Sequence, residues 1–282
     1  MILLAGAGGR LGREVGSILE QRRAPLRAML RATTNSSRAA PSTTEIVIAD
    51  LARPDDAKRA CHGVATVISC VGASLDLRAF AKRASYPAVD DGYNRLLLAA
   101  AVEAGVEHFI YVSVYSTAEL SRTAYVAAHE RFAQRLQGSK LRTTIVRPTG
   151  FFHSYLEMLR MARRGRGIIV ASGKARTNPI HERDVAELCV SALDTPHTVI
   201  DAGGPDTYSR REIQELAFQA VRRAPRLSHV PARMLGLAGR AIGPVQPRLG
   251  QLLEFAVVAA TVDILAPPRG ARHLLDYFMN RD

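Results

Sequence analysis

A doubly wound α/β fold, with a parallel sheet covered by helices on both faces, is predicted by three observations. The chain opens on an apolar run, Met1-Ile2-Leu3-Leu4-Ala5, which breaks into Gly6-Ala7-Gly8-Gly9-Arg10-Leu11-Gly12 ahead of an amphipathic stretch. Strand and helix signals then alternate through the first half of the sequence. After Pro148 the pattern changes to helices separated by short β-like pieces, which reads as a small, mostly helical C-terminal cap.

Strands are expected at residues 1–5, 26–30, 46–48, 65–71, 107–113 and 143–147, and helices near 11–21, 54–61, 90–104 and 123–137. The first helix carries Leu11, Val15, Ile18 and Leu19 at helical spacing. Residues 35–44, rich in Ser, Thr and Ala around Pro41, read as an exposed loop. In the second half, 167–171 and 197–201 are the β-like pieces and 182–193 is helical. Residues 252–265 are strongly apolar, but Glu254 and Asp263 interrupt them and the run is too short to span a bilayer. Burial against the cap is the expectation there; a substrate lid and a membrane-surface contact are alternatives.

The strand, glycine turn and helix at the start form a Rossmann-type corner that binds a dinucleotide. Gly6 permits the tight turn, Gly8 or Gly9 lets main-chain N–H groups approach a pyrophosphate, and Gly12 lets the helix lie against the sheet. The unpaired N–H groups and the positive end of the helix dipole then hold the phosphates. A glycine triplet alone is weak evidence; its position between an apolar strand and an amphipathic helix is what carries the reading. The expected organisation is a dinucleotide-binding core over residues 1–150 and a substrate-binding cap region over 151–282, interleaved in one compact unit.

Composition narrows the alternatives. A chain of 282 residues, 47% apolar, buries a substantial core. It starts at the strand with no charged leader and no run of about 18 apolar residues, so neither a signal peptide nor a spanning helix is expected, and the cytoplasm is the expected location. Cys61, Cys70 and Cys189 form no CxxC pair and the histidines are dispersed, so no metal is expected. The net charge of +12 comes almost wholly from arginine. Those arginines are spread along the chain with no helix-turn-helix, zinc finger or basic tail, so nucleic acid is not the favoured partner. No G-x-S-x-G nucleophile elbow is present. The expected partner is a small-molecule substrate, with a homo-oligomer left open because docking faces and core faces look alike.

The end of the second strand meets the adenosine ribose in such folds, where a carboxylate selects NAD and an arginine accommodates the extra phosphate of NADP. No acid occurs from Gln21 to Thr44, whereas Arg27 and Arg31 flank the strand and Arg38 follows in the loop. NADP(H) is therefore favoured over NAD(H), with Arg31 the foremost phosphate ligand and Arg10 the second. Arg31 ending a strand in solvent is the alternative. Asp50, with Leu51, follows the third strand and can accept from an adenine amino group or cap the helix near Pro54. Cys70-Val71-Gly72 closes the fourth strand, where Gly72 leaves room for the cofactor.

These residues resemble the atypical short-chain dehydrogenase/reductases of the NmrA-like NAD(P)-binding group. The likeness runs over most of the chain and rests on the glycine turn, Ala49-Asp50-Leu51, Asp90 with Asn94, the run from Ala104-Gly105 to Val112-Ser113, Arg147-Pro148-Thr149-Gly150-Phe151-Phe152, and Asn178-Pro179-Ile180-His181 with Asp184. It implies a catalytic serine, a tyrosine about a dozen residues later and a lysine one helical turn beyond. Ser113 and Tyr125 match, but His129 occupies the lysine position. A lysine lowers the tyrosine pKa and holds the ribose; a neutral imidazole supplies less charge and shorter reach. The resemblance further implies that Pro148 and Phe151 pass beside the nicotinamide and that Tyr115, Phe152 and His181 face the substrate, although Phe151 and Phe152 also read as core and His181 as a helix start. The function so implied is an NADPH-dependent reductase delivering hydride to a small apolar or aromatic carbonyl or conjugated alkene, with Tyr125 donating the proton, Ser113 orienting the acceptor and His129 supporting Tyr125 or the ribose. The alternative is a catalytically weak NADP(H)-binding sensor or assembly factor.

Overall fold

The computed structural model describes residues 1–32, 45–73, 75, 85–195 and 198–281, so the loop at 35–44, with Arg38, and residues 196–197 lie outside the described residues. The strands are β1 (Ile2–Ala5), β2 (Leu26–Leu30), β3 (Glu45–Ile48), β4 (Thr66–Ser69), β5 (His108–Val112), β6 (Arg142–Pro148), β7 (Gly167–Val170), β8 (Arg176–Thr177), β9 (Val199–Ala202), β10 (Tyr208–Ser209) and β11 (Leu227–Val230). The helices are α1 (Arg10–Gln21), α2 (Pro54–Cys61), α3 (Asn94–Glu103), α4 (Ala124–Gln137), α5 (Leu156–Arg163), α6 (Glu182–Ser191), α7 (Arg210–Ala220), α8 (Ala232–Ile242), α9 (Pro247–Thr261) and α10 (Leu274–Met279).

Seven parallel strands form the main sheet in the order β3-β2-β1-β4-β5-β6-β9. Both faces are apolar, as a sheet covered on both sides requires, and successive residues serve opposite layers. Leu3, Val67, Phe109 and Tyr111 pack under α2, α3 and α4, while Leu4, Ile68, Ile110 and Val112 pack under α1 and α6. The chain order reverses at β1, whose neighbours are β2 and β4, so the carboxyl ends of β1 and β4 border the crevice where such sheets bind ligands.

Two features depart from the expected pattern. The piece expected at 197–201 within the cap region contributes instead to β9, the seventh strand of the main sheet, which pairs Ile145 with Val199 and Pro148 with Ala202. The expected helix at 90–104 is two elements, a π-helical segment Pro87–Tyr93 running into α3, and the wider turns bring Asp90 and Asn94 under the exit of β4. The cap holds two small sheets, β7 with β11 and β8 with β10, beside a cluster of Tyr155, Leu159, Ile213, Phe218 and Phe278. The apolar segment 252–265 forms most of α9, which packs on α8 and meets α4 through Phe255 and Tyr125.

Candidate active site

The glycine turn is sterically determined. Gly6 has φ +81°, and a Cβ there would lie 2.8 Å from the Cys70 carbonyl oxygen. A Cβ on Gly12 would lie 2.2 Å from the Gly6 carbonyl oxygen, so no other residue lets α1 start this close to the turn. Gly9 caps α1 in an extended conformation without a side-chain hydrogen bond, and no acid stands in the first turn. The first N–H groups of α1 are thus presented with their dipole to an incoming anion. Arg13, not singled out by the sequence reading, fastens the turn by donating to the Gly8 carbonyl at 2.7 Å. Gly8, Gly9, Arg10 and Leu11 are only partly covered or exposed, which suits a pyrophosphate on this corner.

The two arginines flanking β2 have different fates. Arg27, at the start of the strand, is engaged by Glu45 at 2.9 and 3.1 Å and by the carbonyls of Ala60 and His62. Arg31 leaves the strand at its carboxyl end, exposed, on the crevice side. Asp50 does not cap α2, whose N-cap is Arg53; its carboxylate accepts from the Ala52 N–H at 3.0 Å, and its own N–H donates to Asp56 at 2.8 Å. Leu51 is buried beneath it.

Beyond β4 the chain runs over a buried polar cluster. Burial pushes the Cys70 thiol up to about 12, which leaves it inert, while Val71 packs on the core. A Cβ on Gly72 would lie 3.4 Å from Asp90 Oδ1, so the exposed turn rests directly on the cluster. Asp90 is fully buried and accepts from the Ala73 N–H at 2.7 Å. Burial raises its carboxyl to about 8, against the opposing pull of that N–H and of the Arg248 charge. Asn94, one turn on, donates to the carbonyls of Val71 and Asp90 and accepts from Ser69 Oγ at 2.6 Å.

His129 lies between this carboxyl and the sheet. Its Nδ1 is 2.6 Å from the Tyr111 hydroxyl and its Nε2 is 3.6 Å from Asp90 Oδ1. Burial lowers the imidazole to about 3, so it is neutral across the physiological range. Burial raises Tyr111 well above an ordinary phenol, and the Ser113 hydroxyl, at the exit of β5, opposes that rise. Tyr125, one turn before His129, shares an edge-to-face ring contact with it at 4.9 Å and further contacts with Tyr86 at 5.2 Å and Phe255 at 5.0 Å. Its hydroxyl has no hydrogen-bond partner among the described residues, and burial followed by the Asp90 charge raises its pKa above the usual phenol value. The imidazole nitrogens therefore face Tyr111 and Asp90, while toward Tyr125 His129 offers its ring. Tyr115 packs with Tyr125 and Phe255 around Leu120 and Val126.

At the end of β6, Pro148 is buried and Phe151 is half-buried, stacked on His153 at 5.7 Å and bridged to Ile180. Phe152, expected at the pocket wall, is 1% exposed within the cap cluster, because its neighbours Tyr155, Leu159 and Tyr277 close around it. Its ring contacts those of His181 and Tyr277, at 5.4 Å each. His181 is the N-cap of α6, its Nδ1 accepting from the Arg183 N–H at 2.9 Å. It also lines a cavity of about 620 Å³ with Arg272, His273, Tyr277 and Arg281.

Four residues central to this arrangement were not assigned a role from sequence: Tyr111, Tyr86, Arg248 and Phe255. Tyr111 carried a signal, a polar group inside the apolar run of β5; the Arg248 guanidinium stands over the Tyr86 ring at 5.2 Å from a distant helix, which no local pattern announces. Among the described residues no group of side chains could hold a metal ion, and no helix is long and apolar enough to cross a membrane.

Comparison with known proteins gives the family and the fold. The chain is 25% identical to an NAD(P)H azoreductase of Xenophilus azovorans over 283 aligned positions, covering 98% of this chain and 91% of that one. It is 22% identical to a photosystem II assembly factor of Trieres chinensis, covering 86% and 76%. A solved structure of an NADPH-dependent quinone oxidoreductase from Escherichia coli, complexed with NADPH, superposes with a TM-score of 0.75 at 16% identity, covering 99% and 98%, and so shares the fold. Residues 6–196 match the NAD(P)H-binding family across the glycine turn, the buried Asp90 cluster and α6, and the chain belongs to that family.

Proposed function

We propose that this protein is an NADPH-dependent reductase acting on a small apolar or aromatic acceptor, a carbonyl compound or conjugated alkene of the quinone or enone kind. The observation that carries this reading is the Tyr125 phenol: neutral, unpartnered among the described residues and set among the rings of Tyr86 and Phe255, one helical turn from the buried cluster under the β4 exit. A protonated phenol can give a proton to an acceptor oxygen but cannot remove one, and its raised pKa makes that donation harder than that of a lysine-assisted tyrosine. NADPH, when bound, supplies the hydride. The N–H groups at the start of α1 would hold its pyrophosphate, Arg31 and Arg10 its 2′-phosphate, and Gly72, Pro148 and Phe151 would leave a channel for its nicotinamide half. Ser113 would orient the acceptor oxygen. The likeness to an NAD(P)H azoreductase supports an oxidoreductase.

One observation favours the alternative, an NADP(H)-binding sensor or assembly factor: no cation stands where relatives place the lysine, since His129 is neutral. Fluorescence titration with NADPH and NADH, followed by quinones, enones and aryl ketones, separates the two. The reductase reading expects oxidation of bound NADPH by at least one acceptor, and a loss of about 10²–10⁴ in kcat in Tyr125→Phe with NADPH affinity unchanged. Tight NADPH binding without turnover of any acceptor establishes the sensor reading instead, and a Tyr125→Phe variant as fast as the parent removes the assigned proton donor.

A further inference from the structure

The surface of the α8–α9 hairpin is unlike the rest of the molecule. Elsewhere arginines are commonly matched by carboxylates, as in Arg22 with Asp194, Arg147 with Asp201 and Arg272 with Asp184. From Leu216 to Leu253 the sequence contains no Asp or Glu, while Arg222, Arg223, Arg226, Arg233, Arg240 and Arg248 all fall within it. Arg248 is buried against Tyr86; Arg233 and Arg240 on α8 are exposed and make no ion pair or hydrogen bond among the described residues.

Beside those two cations runs an apolar stripe. Met234, Leu237 and Ala241 follow one another at helical spacing on a single face, and Val245 in the turn beyond extends it. Met234, Leu237 and Val245 are 60%, 63% and 83% exposed, among the most exposed large apolar side chains of the described residues. The rotation of α8 is fixed from behind. A Cβ on Gly250 of α9 would lie 2.9 Å from the Gly239 carbonyl oxygen and 2.7 Å from the Gly243 Cα, so the two helices cross through glycines and the opposite face of α8 is held outward.

We infer that α8 is a docking surface for an anionic phospholipid bilayer, on which Met234, Leu237 and Val245 enter the headgroup–acyl boundary while Arg233 and Arg240 meet lipid phosphates. An apolar stripe with an adjoining row of unpaired cations and no acid is the pattern of a helix lying in a membrane interface. Nucleic acid would satisfy the cations and leave the stripe in water, and a purely apolar partner would leave the cations unmatched. The inference is independent of the reductase reading, since it concerns a face that neither donates a proton nor holds a nucleotide.

The test is co-sedimentation of the full chain with vesicles of phosphatidylcholine alone and of phosphatidylcholine mixed with phosphatidylglycerol. Binding to the anionic vesicles, weakened by salt, is expected. The Arg233→Glu/Arg240→Glu double variant is expected to bind about tenfold or more weakly, on the usual contribution of a basic residue at an anionic surface, and Met234→Ser/Leu237→Ser is expected to bind more weakly as well. Unchanged NADPH titration in both variants shows that the fold is retained. Failure to sediment with anionic vesicles at low salt, or binding indifferent to both variants, overturns the inference. So does a dimer in light scattering that Met234→Ser/Leu237→Ser dissociates, because a second copy would then be what covers the stripe.

Discussion

The Tyr111 hydroxyl and His129 Nδ1 stand 2.6 Å apart, joining the middle of β5 to the inner face of α4. Because the phenol is raised by burial and the imidazole lowered by it, both are neutral, and the proton on the phenol is shared with a nitrogen that has no charge of its own. The pair turns the other imidazole nitrogen toward Asp90 and sets the ring edge-to-face against Tyr125. His129 is thus held by the Tyr111 hydroxyl and the Tyr125 ring, while its Nε2 faces Asp90 at 3.6 Å, beyond hydrogen-bond reach.

Breaking that bond from either side leaves a buried polar atom alone. Tyr111→Phe and His129→Leu are each expected to destabilise the protein by about 1–3 kcal/mol. Removing both at once should cost less than the sum, with a coupling of about 0.5–3 kcal/mol, because neither orphan then remains. Urea denaturation of the four proteins measures this, and strict additivity would show that the contact carries no energy of its own.

Asp90 should make stability fall as pH rises through neutrality. Burial raises its carboxyl from 3.8 to about 8, so over that range the folded chain keeps a proton that the unfolded chain releases. Stability is then lost with rising pH by up to about 1.4 kcal/mol per pH unit. His129, lowered by burial from 6.5 to about 3, works in the opposite sense: below 6.5 the unfolded chain takes up a proton that the folded chain refuses, so stability is lost as pH falls. The two offset where they overlap, leaving a decline from 6.5 to about 8 that belongs to Asp90. Asp90→Asn is expected to flatten it, and identical slopes of melting temperature against pH for the two proteins would refute the assignment.

What the sequence revealed, and what it hid, divides along the range of the interactions. β2 and α2 run as read, and the β1–turn–α1 corner was legible because strand, glycines and helix are contiguous and each residue's role is local. The piece at 197–201 reads as part of the cap because a short β-like piece does not say which sheet it will edge; only the pairing of β9 with β6 decides. Arg31 was legible as the foremost phosphate ligand because it follows β2 at its carboxyl end; that Arg27 would be taken up by Glu45 was not, since Glu45 meets it only through the pairing of β2 with β3. Tyr125 and His129 were singled out by the family resemblance, and α4 carries them one turn apart. That His129 would face Tyr111 and Asp90 depends on β5 and on the π-helical segment, which meet it only after folding.

Two glycines of α1 should respond oppositely to alanine. At Gly12 a Cβ would be 2.2 Å from the Gly6 carbonyl oxygen, a backbone atom that cannot give way without opening the turn. Gly12→Ala is expected to abolish nucleotide binding and lower the melting temperature. At Gly16 the nearest atom to a Cβ is Leu4 Cδ2 at 3.6 Å, ordinary contact, so Gly16→Ala is expected to be neutral or to stabilise by up to about 1 kcal/mol through helix propensity. Calorimetric titration with NADPH on the two variants checks both, and equal behaviour would mean the turn is not closed as described.

Cofactor preference should rest on Arg31. It leaves β2 at the crevice end, exposed, with no acid in the sequence between Gln21 and Thr44 to oppose a 2′-phosphate. A charge-assisted contact of that kind contributes about 1.5–3 kcal/mol, so Arg31→Ala should weaken NADPH binding by roughly 10- to 100-fold while leaving NADH nearly unchanged. Arg31→Glu should go further and reverse the order of the two nucleotides, since a carboxylate repels the phosphate and can accept from the ribose hydroxyls. Arg27→Ala is the matched comparison: it frees Glu45 and the Ala60 and His62 carbonyls, so it should lower the melting temperature without altering the ratio of NADPH to NADH affinity. If the ratio moves with Arg27 and not with Arg31, the phosphate lies elsewhere and Arg10 becomes its first ligand.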